Sequence, residues 1–182
     1  DPKLKFHGIQ SVGGYHPAKF RHYNDLLDNS NNLLSFPILK SLNVKYLLSP
    51  FEVSHDQIEM IDTVPYSSIM GNMDLKIYKI KDSLNRAWFV KRTIKEDNNL
   101  YNYLNSSAFN PEDVAVVKDL DAQSFSKGEI LNIEWGIHEI TIDIEASSKS
   151  FLVVSEVYYP KRWKLTINNE PSETFQVNGV LR

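Results

Sequence analysis

The sequence predicts an α+β protein, with a mixed α/β lobe over residues 1–120 followed by an antiparallel β-sandwich-like lobe over residues 121–182. Three observations carry this. Helix-like and strand-like periodicities are interleaved in the first two thirds of the chain, whereas short strand-like runs follow one another from Glu129 onward. Between the two textures, Asp119, Asp121, Ser124, Ser126, Lys127 and Gly128 form a polar, turn-rich stretch that marks the boundary. Finally, 182 residues that are 42% hydrophobic and 24% charged suffice to bury a core and fall outside the disordered range.

From Pro17 to Asp28, Phe20, Tyr23 and Leu27 fall on one face of a short amphipathic helix, with the proline tolerated in the first turn. A second helix is expected over Leu33 to Leu42, interrupted or restarted at Pro37, leading into a strand from Val44 to Leu48. Leu75 to Ile80 alternates with period two, and Ala87 to Ile94 is rich in β-branched and aromatic residues. These two are expected to be neighbours in one sheet. Asp97 is placed to cap a helix running to Leu104, and Asn110-Pro111 turns the chain into a strand at Val114 to Val117. Strands are then expected at Glu129–Trp135, His138–Glu145, Ser150–Tyr158, Trp163–Ile167 and Glu173–Val177, as a meander or half-sandwich. Asn178-Gly179 is a strong hairpin-turn pair, and Val180-Leu181-Arg182 starts a return strand. That ending reads as a fragment whose last strands are missing.

Composition excludes several function classes. Twenty Lys+Arg against 23 Asp+Glu leave a net charge of −3, so no global basic surface for nucleic acid exists and no nucleic-acid partner is expected. Without cysteine there are no disulfides, thiolate nucleophiles or zinc knuckles. The longest apolar runs, at 46–48 and 151–154, are far short of the roughly 20 residues that span a bilayer. No signal-peptide pattern opens the chain. His7, His16, His22, His55 and His138 show no metal-binding spacing, and only His16 and His22 with Asp25 offer a conceivable cluster, so neither metal nor cofactor is expected. No nucleophile elbow is present, and Asp143 with Glu145 reads as the solvated face of a strand.

Two stretches carry candidate chemistry. Gly13-Gly14-Tyr15-His16-Pro17-Ala18-Lys19 sets a glycine pair before a helix start, which suits an anion or sugar phosphate, or simply a turn and a cap. Glu156-Val157-Tyr158-Tyr159-Pro160-Lys161-Arg162-Trp163 gathers aromatic and basic residues around a bend, which suits a sugar ring or a packing cluster.

The first of these stretches, taken in order with Leu42-Asn43-Val44-Lys45-Tyr46, Asn85-Arg86-Ala87-Trp88-Phe89-Val90, Ser155-Glu156-Val157-Tyr158-Tyr159-Pro160 with Trp163-Lys164, and Asn178-Gly179-Val180-Leu181-Arg182, resembles the soluble C-terminal region of the YfhO-like family of bacterial multi-pass membrane proteins. Lys161-Arg162 departs from the shorter, glycine-containing turn of that family. The resemblance implies an extracytoplasmic, non-catalytic domain of an integral membrane glycosyltransferase that uses a polyprenyl-phosphate sugar. Its implied partners are the membrane portion of the same polypeptide and an envelope glycan or lipid-linked sugar. The family's catalytic carboxylate lies in a loop outside this chain, so no catalytic residue carries over. A glycan groove is expected at Tyr15, His16, Lys19, Arg86, Trp88, Tyr158, Tyr159 and Trp163. The alternatives are a lid or scaffold that packs on the membrane portion, a free-standing carbohydrate-binding module, and a hydrolase.

Overall fold

The computed structural model of the chain describes residues 8–13, 20–30, 35–68 and 71–182. They form a mixed α+β arrangement of helices and small sheets. Helix α1 (Arg21–Asn29) is set by Tyr23, Leu26 and Leu27 at helical spacing, and Leu26 is its fully buried anchor. Phe20 does not join that buried face. It is half-exposed at the helix N-cap, with its ring 5.1 Å from that of Tyr159. Helix α2 (Phe36–Ser41) carries Pro37 in its first turn, where its missing N–H costs nothing. Leu42 closes it by bonding back to Ile38 O at 2.9 Å.

Strands β1 (Tyr46–Ser49), β2 (Ile58–Ser68) and β3 (Gly71–Ile80) form one antiparallel sheet in the order β1-β3-β2. β2 has no counterpart in the sequence reading. A bulge between Met60 and Asp62 resets its alternation, and Pro65 lies within it. Both features erase the period-two signal of an edge strand.

The stretch expected as one strand from Ala87 to Ile94 is two, β4 (Ala87–Val90) and β5 (Arg92–Lys95). Neither pairs with β3, contrary to expectation. The chain turns at Lys91, where the N–H groups of Lys91 and Arg92 both donate to Asp113 O, at 2.9 and 3.1 Å. β4 then pairs with β10 (Phe151–Val154), while β5 lies between β6 (Val114–Val117) and the short β7 (Gln123–Ser124). β5 and β6 are parallel, so a crossover must join them. Helix α3 (Leu100–Leu104) lies in that crossover. Asp97 does not cap it directly: Asn99 is at the N-cap, and the Asp97 carboxylate accepts from the Asn99 N–H at 2.8 Å.

Every residue of β4 and β6 is buried, as expected for strands covered on both faces. One apolar cluster unites them with Leu26, Ile38, Tyr78, Leu104, Val153, Val177, Val180 and Leu181. Later elements are more exposed. β8 (Glu129–Trp135) pairs with β9 (Ile140–Glu145), and β11 (Leu165–Ile167) with β12 (Glu170–Ser172). Asn168 and Asn169 form the second hairpin's turn at φ of 52° and 69°. Glu173–Val177, expected as a strand, lies outside the regular strands. Val177 instead makes single bridges to Val117 and Leu181. The Asn178-Gly179 turn is present, with both φ angles positive. Its return residues are held on two sides, since Leu181 bridges Val157 as well as Val177 and Arg182 O accepts from Val154 N.

Candidate functional site

Three of the expected site residues, Tyr15, His16 and Lys19, lie outside the described residues. The other five separate into core and surface. Trp88 belongs to the core: it is 7% exposed and its indole N–H donates to Pro111 O at 2.7 Å. Its expected contact with sugar is therefore corrected. An aromatic residue inside a fully buried strand has no free face.

Arg86, Tyr158, Tyr159 and Trp163 are half-buried around a bend. The Ser155 N–H donates to Arg86 O at 2.7 Å, and the Val154 N–H to Arg182 O at 2.6 Å. These bonds bring Arg86, Glu156 and Arg182 to one place. Arg86 is ion-paired with the Glu156 carboxylate, and its guanidinium carbon lies 3.6 Å from the centroid of the Trp135 ring. The Arg182 guanidinium lies 4.1 Å over Trp163. Burial pushes the Arg182 pKa down, and the nearby Glu156 charge partly opposes this. Tyr159 packs on Phe20, and its carbonyl accepts from the N–H groups of Arg162 and Trp163. The two indoles thus each have a guanidinium stacked on them, while Glu156 is ion-paired with Arg86 and acts on Arg182 through its charge alone. Arg86 is satisfied within the cluster, whereas Arg182 Nη1 is enclosed without a hydrogen-bond partner.

A second polar site was not visible as a motif. A groove of about 250 Å³ is lined by His22 and Asp25 of α1, Glu96, Asp97 and Tyr101 of the β5–α3 segment, Lys118 beyond β6, and Gln176 and Gly179 of the last turn. Parallel pairing explains the placement of Glu96 and Lys118. Lys95 is opposite Val117, and the next bond runs from Glu96 N–H to Val117 O at 2.9 Å. Lys118 N–H continues it to Gln176 O at 3.2 Å. Gly179 completes the wall at φ +77°, where an added Cβ would lie 3.3 Å from Leu100 and 3.6 Å from the Tyr101 ring. A side chain there meets both a backbone penalty and a crowded wall.

The electrostatics centre on Glu96. Its Oε2 is enclosed and has no hydrogen-bond partner. Loss of solvation raises its pKa, with Asp119 adding to the rise and Lys118 and His22 opposing it. The Tyr101 phenol is also raised, first by burial and then by the charges of Asp25 and Glu96. Asp25 and Glu96 therefore each lie within electrostatic reach of the Tyr101 phenol. The sequence offers His22 and Asp25, with His16, only as a conceivable metal cluster and predicts no metal there. Among the described residues no three His, Asp or Glu side chains are disposed to hold a metal ion.

Comparison with protein-family models, with curated proteins and with solved structures finds no match to this chain. The YfhO-like resemblance is overturned by that result. The motifs that suggested it have local structural roles: 85–90 leads into and forms a core strand, 155–163 forms a bend, and 178–179 forms a tight turn. Such roles recur in unrelated folds. The expectations drawn from the resemblance are corrected with it. Among the described residues no helix is long and apolar enough to cross a membrane, and α1, the longest, has nine residues. An integral-membrane location and a membrane portion of the same polypeptide as partner have no support here.

Proposed function

We propose that the chain is a non-catalytic recognition domain for a saccharide, and that the sugar occupies the groove at Glu96 rather than the aromatic bend. The observation that carries this is the Glu96 carboxylate, held at the edge of a polar groove with one oxygen unpartnered. A buried acceptor without a donor is costly, and a hydroxyl presented by a ligand offsets that cost. Around it, Asp25 and Lys118 provide a further acceptor and donor, Gln176 is held in the wall by its side-chain bond to Gly179 O, and the half-buried Tyr101 contributes ring surface. That mixture suits a ligand dense in hydroxyl groups. The groove lies just below the roughly 300–1,000 Å³ range of pockets for drug-sized ligands, which fits a single sugar ring better than a large cofactor.

In fold terms, we read residues 121–182 as a sandwich-like lobe to which the β8–β9 and β11–β12 hairpins belong, and residues 1–120 as the α/β lobe. The groove draws on both, through Gln176 and Gly179 on one side and Glu96 and Tyr101 on the other.

Calorimetric titration with a panel of oligosaccharides tests the reading on wild type, Glu96→Gln and Trp163→Ala. Binding is expected with Kd near 1 mM or tighter, about −4 kcal/mol or better. Glu96→Gln is expected to weaken it at least about fivefold, the loss of roughly one good hydrogen bond. Trp163→Ala is expected to leave it unchanged. Absence of binding across the panel, or equal binding by Glu96→Gln, overturns the reading. Release of new reducing ends during the titration makes the chain a hydrolase instead.

A further inference from the structure

Strand β1 is an open edge of the β1-β3-β2 sheet, and its hydrogen-bond phase is fixed by its neighbours. The Ile80 N–H donates to Lys45 O at 2.9 Å on the β1 side, whereas the next amide, Lys81 N–H, turns to the β2 side and donates to Gln57 O at 2.9 Å. Antiparallel pairs alternate between bonded and non-bonded, so Lys45, Leu47 and Ser49 aim their backbone groups at β3, and Tyr46 and Leu48 aim theirs outward. Among the described residues no strand or bridge pairs with those outward groups. The side chains of Tyr46 and Leu48 stand on the face opposite the buried Tyr78 and Ile80 and are 53% and 39% exposed. The other edge, β2, carries a bulge, Pro65, Glu59 and Asp62, which are devices that discourage pairing. β1 has only its shortness for protection, and all four of its residues are uncharged.

We propose that the β1 edge pairs with the β1 edge of a second copy of this chain, antiparallel and about a two-fold axis at Leu47, which joins the two sheets into one. The phase makes the edge its own complement. Its outward groups lie symmetrically on either side of Leu47, so the N–H and C=O of Tyr46 meet those of the partner's Leu48, the reciprocal pair does the same, and every outward group of β1 gains a partner. On the outer face, the Lys79–Tyr46 pair continues into the partner's Leu48, which its own Ile77 backs. No like charges are opposed, because Lys45 falls opposite the partner's Ser49 and Leu47 opposite the partner's Leu47. A foreign extended strand satisfies the same backbone groups, but only a second copy is certain to bring an uncharged edge of matching length and phase. The area sets the strength: a four-residue edge buries far less than the roughly 1,200 Å² at the lower end of stable interfaces, so the dimer is weak, with Kd on the order of 100 μM.

Sedimentation of the full chain between about 10 μM and about 1 mM is expected to show the mass rising from one chain toward two. Leu48→Pro removes an outward N–H and no bond to β3, and is expected to weaken the dimer at least about tenfold. Leu48→Lys, which puts a charge on the edge and leaves the backbone intact, is expected to act in the same direction and carries the test if the proline variant fails to fold. Cysteine cross-linking reads the register in a chain that has no cysteine of its own. Tyr46→Cys and Leu48→Cys, mixed and oxidised, are expected to give a disulfide-linked dimer, since residues directly opposite have Cα atoms about 5.5 Å apart, within disulfide reach. Either variant alone sets its cysteines on the diagonal, at about 7–8 Å, and is expected to give at most about a tenth as much. A chain that stays monomeric to about 1 mM, with the mixture not cross-linked, overturns the proposal and leaves the edge to a foreign strand. A dimer that resists both Leu48 variants and does not cross-link in the mixture also overturns it, since it places the interface elsewhere.

Discussion

The aromatic bend and the groove are both polar, both half-buried and both rich in charge, yet they treat their charges differently. At the bend, Arg86 and Arg182 lie over the Trp135 and Trp163 rings, and Arg86 is ion-paired with Glu156, while Arg182 keeps one enclosed nitrogen, Nη1, without a hydrogen-bond partner beneath the Trp163 stack. In the groove, the backbone ladder from β5 through Lys118 to Gln176 places Glu96 on the wall, and its Oε2 bonds to nothing. A pair satisfied within the fold, as Arg86 is with Glu156, contributes stability and leaves little for a ligand to improve. Groups held apart by a rigid scaffold keep that capacity. Residue type alone favours the bend, because it concentrates Tyr, Trp and Arg in one short motif. Connectivity favours the groove.

Five substitutions break or sharpen this contrast. The largest effect is expected from Trp88→Ala, about 3–5 kcal/mol of unfolding free energy in a denaturant titration, since it empties a core position and strips Pro111 O of its donor. Trp163→Ala is the control. Half-exposed, with one guanidinium on its face, it is expected to cost about 1 kcal/mol or less. Similar costs for the two tryptophans would contradict the division into core and surface.

Next comes Gly179→Ala, expected to cost about 1–2 kcal/mol because φ of +77° disfavours any side chain. It should also weaken binding in the groove, where the new Cβ presses on Leu100 and Tyr101. Thermal unfolding and titration of the same variant check both. Smaller again is Glu156→Gln, expected to cost about 1 kcal/mol at low salt and less as salt screens the half-exposed pair. It should leave saccharide affinity unchanged, and a loss of affinity would return the site to the bend.

The smallest effect is a change of slope with pH. The folded-state pKa of Glu96 is raised, so the folded chain binds more protons than the unfolded chain above the ordinary value of 4.5. Stability from this group therefore falls as pH rises from 4.5 through the raised folded value. Asp113, held below the ordinary carboxyl value of 3.8 by Lys91 and Lys127, acts in the opposite sense: its contribution is present above 3.8 and lost as pH falls through the lowered value. Glu96→Gln is expected to raise the melting temperature near neutral pH and leave it unchanged in acid. A variant that gains stability while losing binding is the signature of a carboxylate held for a ligand.

Much of the fold was legible where local pattern and tertiary context agree. β6 and β8 coincide with the expected Val114–Val117 and Glu129–Trp135: burial is continuous along β6, and in β8 the alternation resumes after a single irregularity between Ile130 and Asn132. Asn178-Gly179 makes the expected turn because few residues tolerate two positive φ angles in succession. Legibility failed where the chain breaks its own period. β2 hid behind its bulge and Pro65, and the switch at Lys91 between two sheets leaves no mark in the run of β-branched residues. The groove was illegible for another reason. Its walls come from residues 22–25, 96–101, 118 and 176–179, and only the β5–β6 pairing and the last turn bring them together. No local motif encodes such a site.

The most direct test of the division between the two surfaces is an amide chemical-shift map of the ¹⁵N-labelled chain during titration with the tightest-binding oligosaccharide of the panel. Progressive shifts are expected at Glu96 to Tyr101, Lys118 and Gln176 to Gly179, with Ser155 to Trp163 unmoved. Shifts concentrated at Ser155 to Trp163, with the groove silent, would contradict the assignment and make the aromatic bend the binding surface.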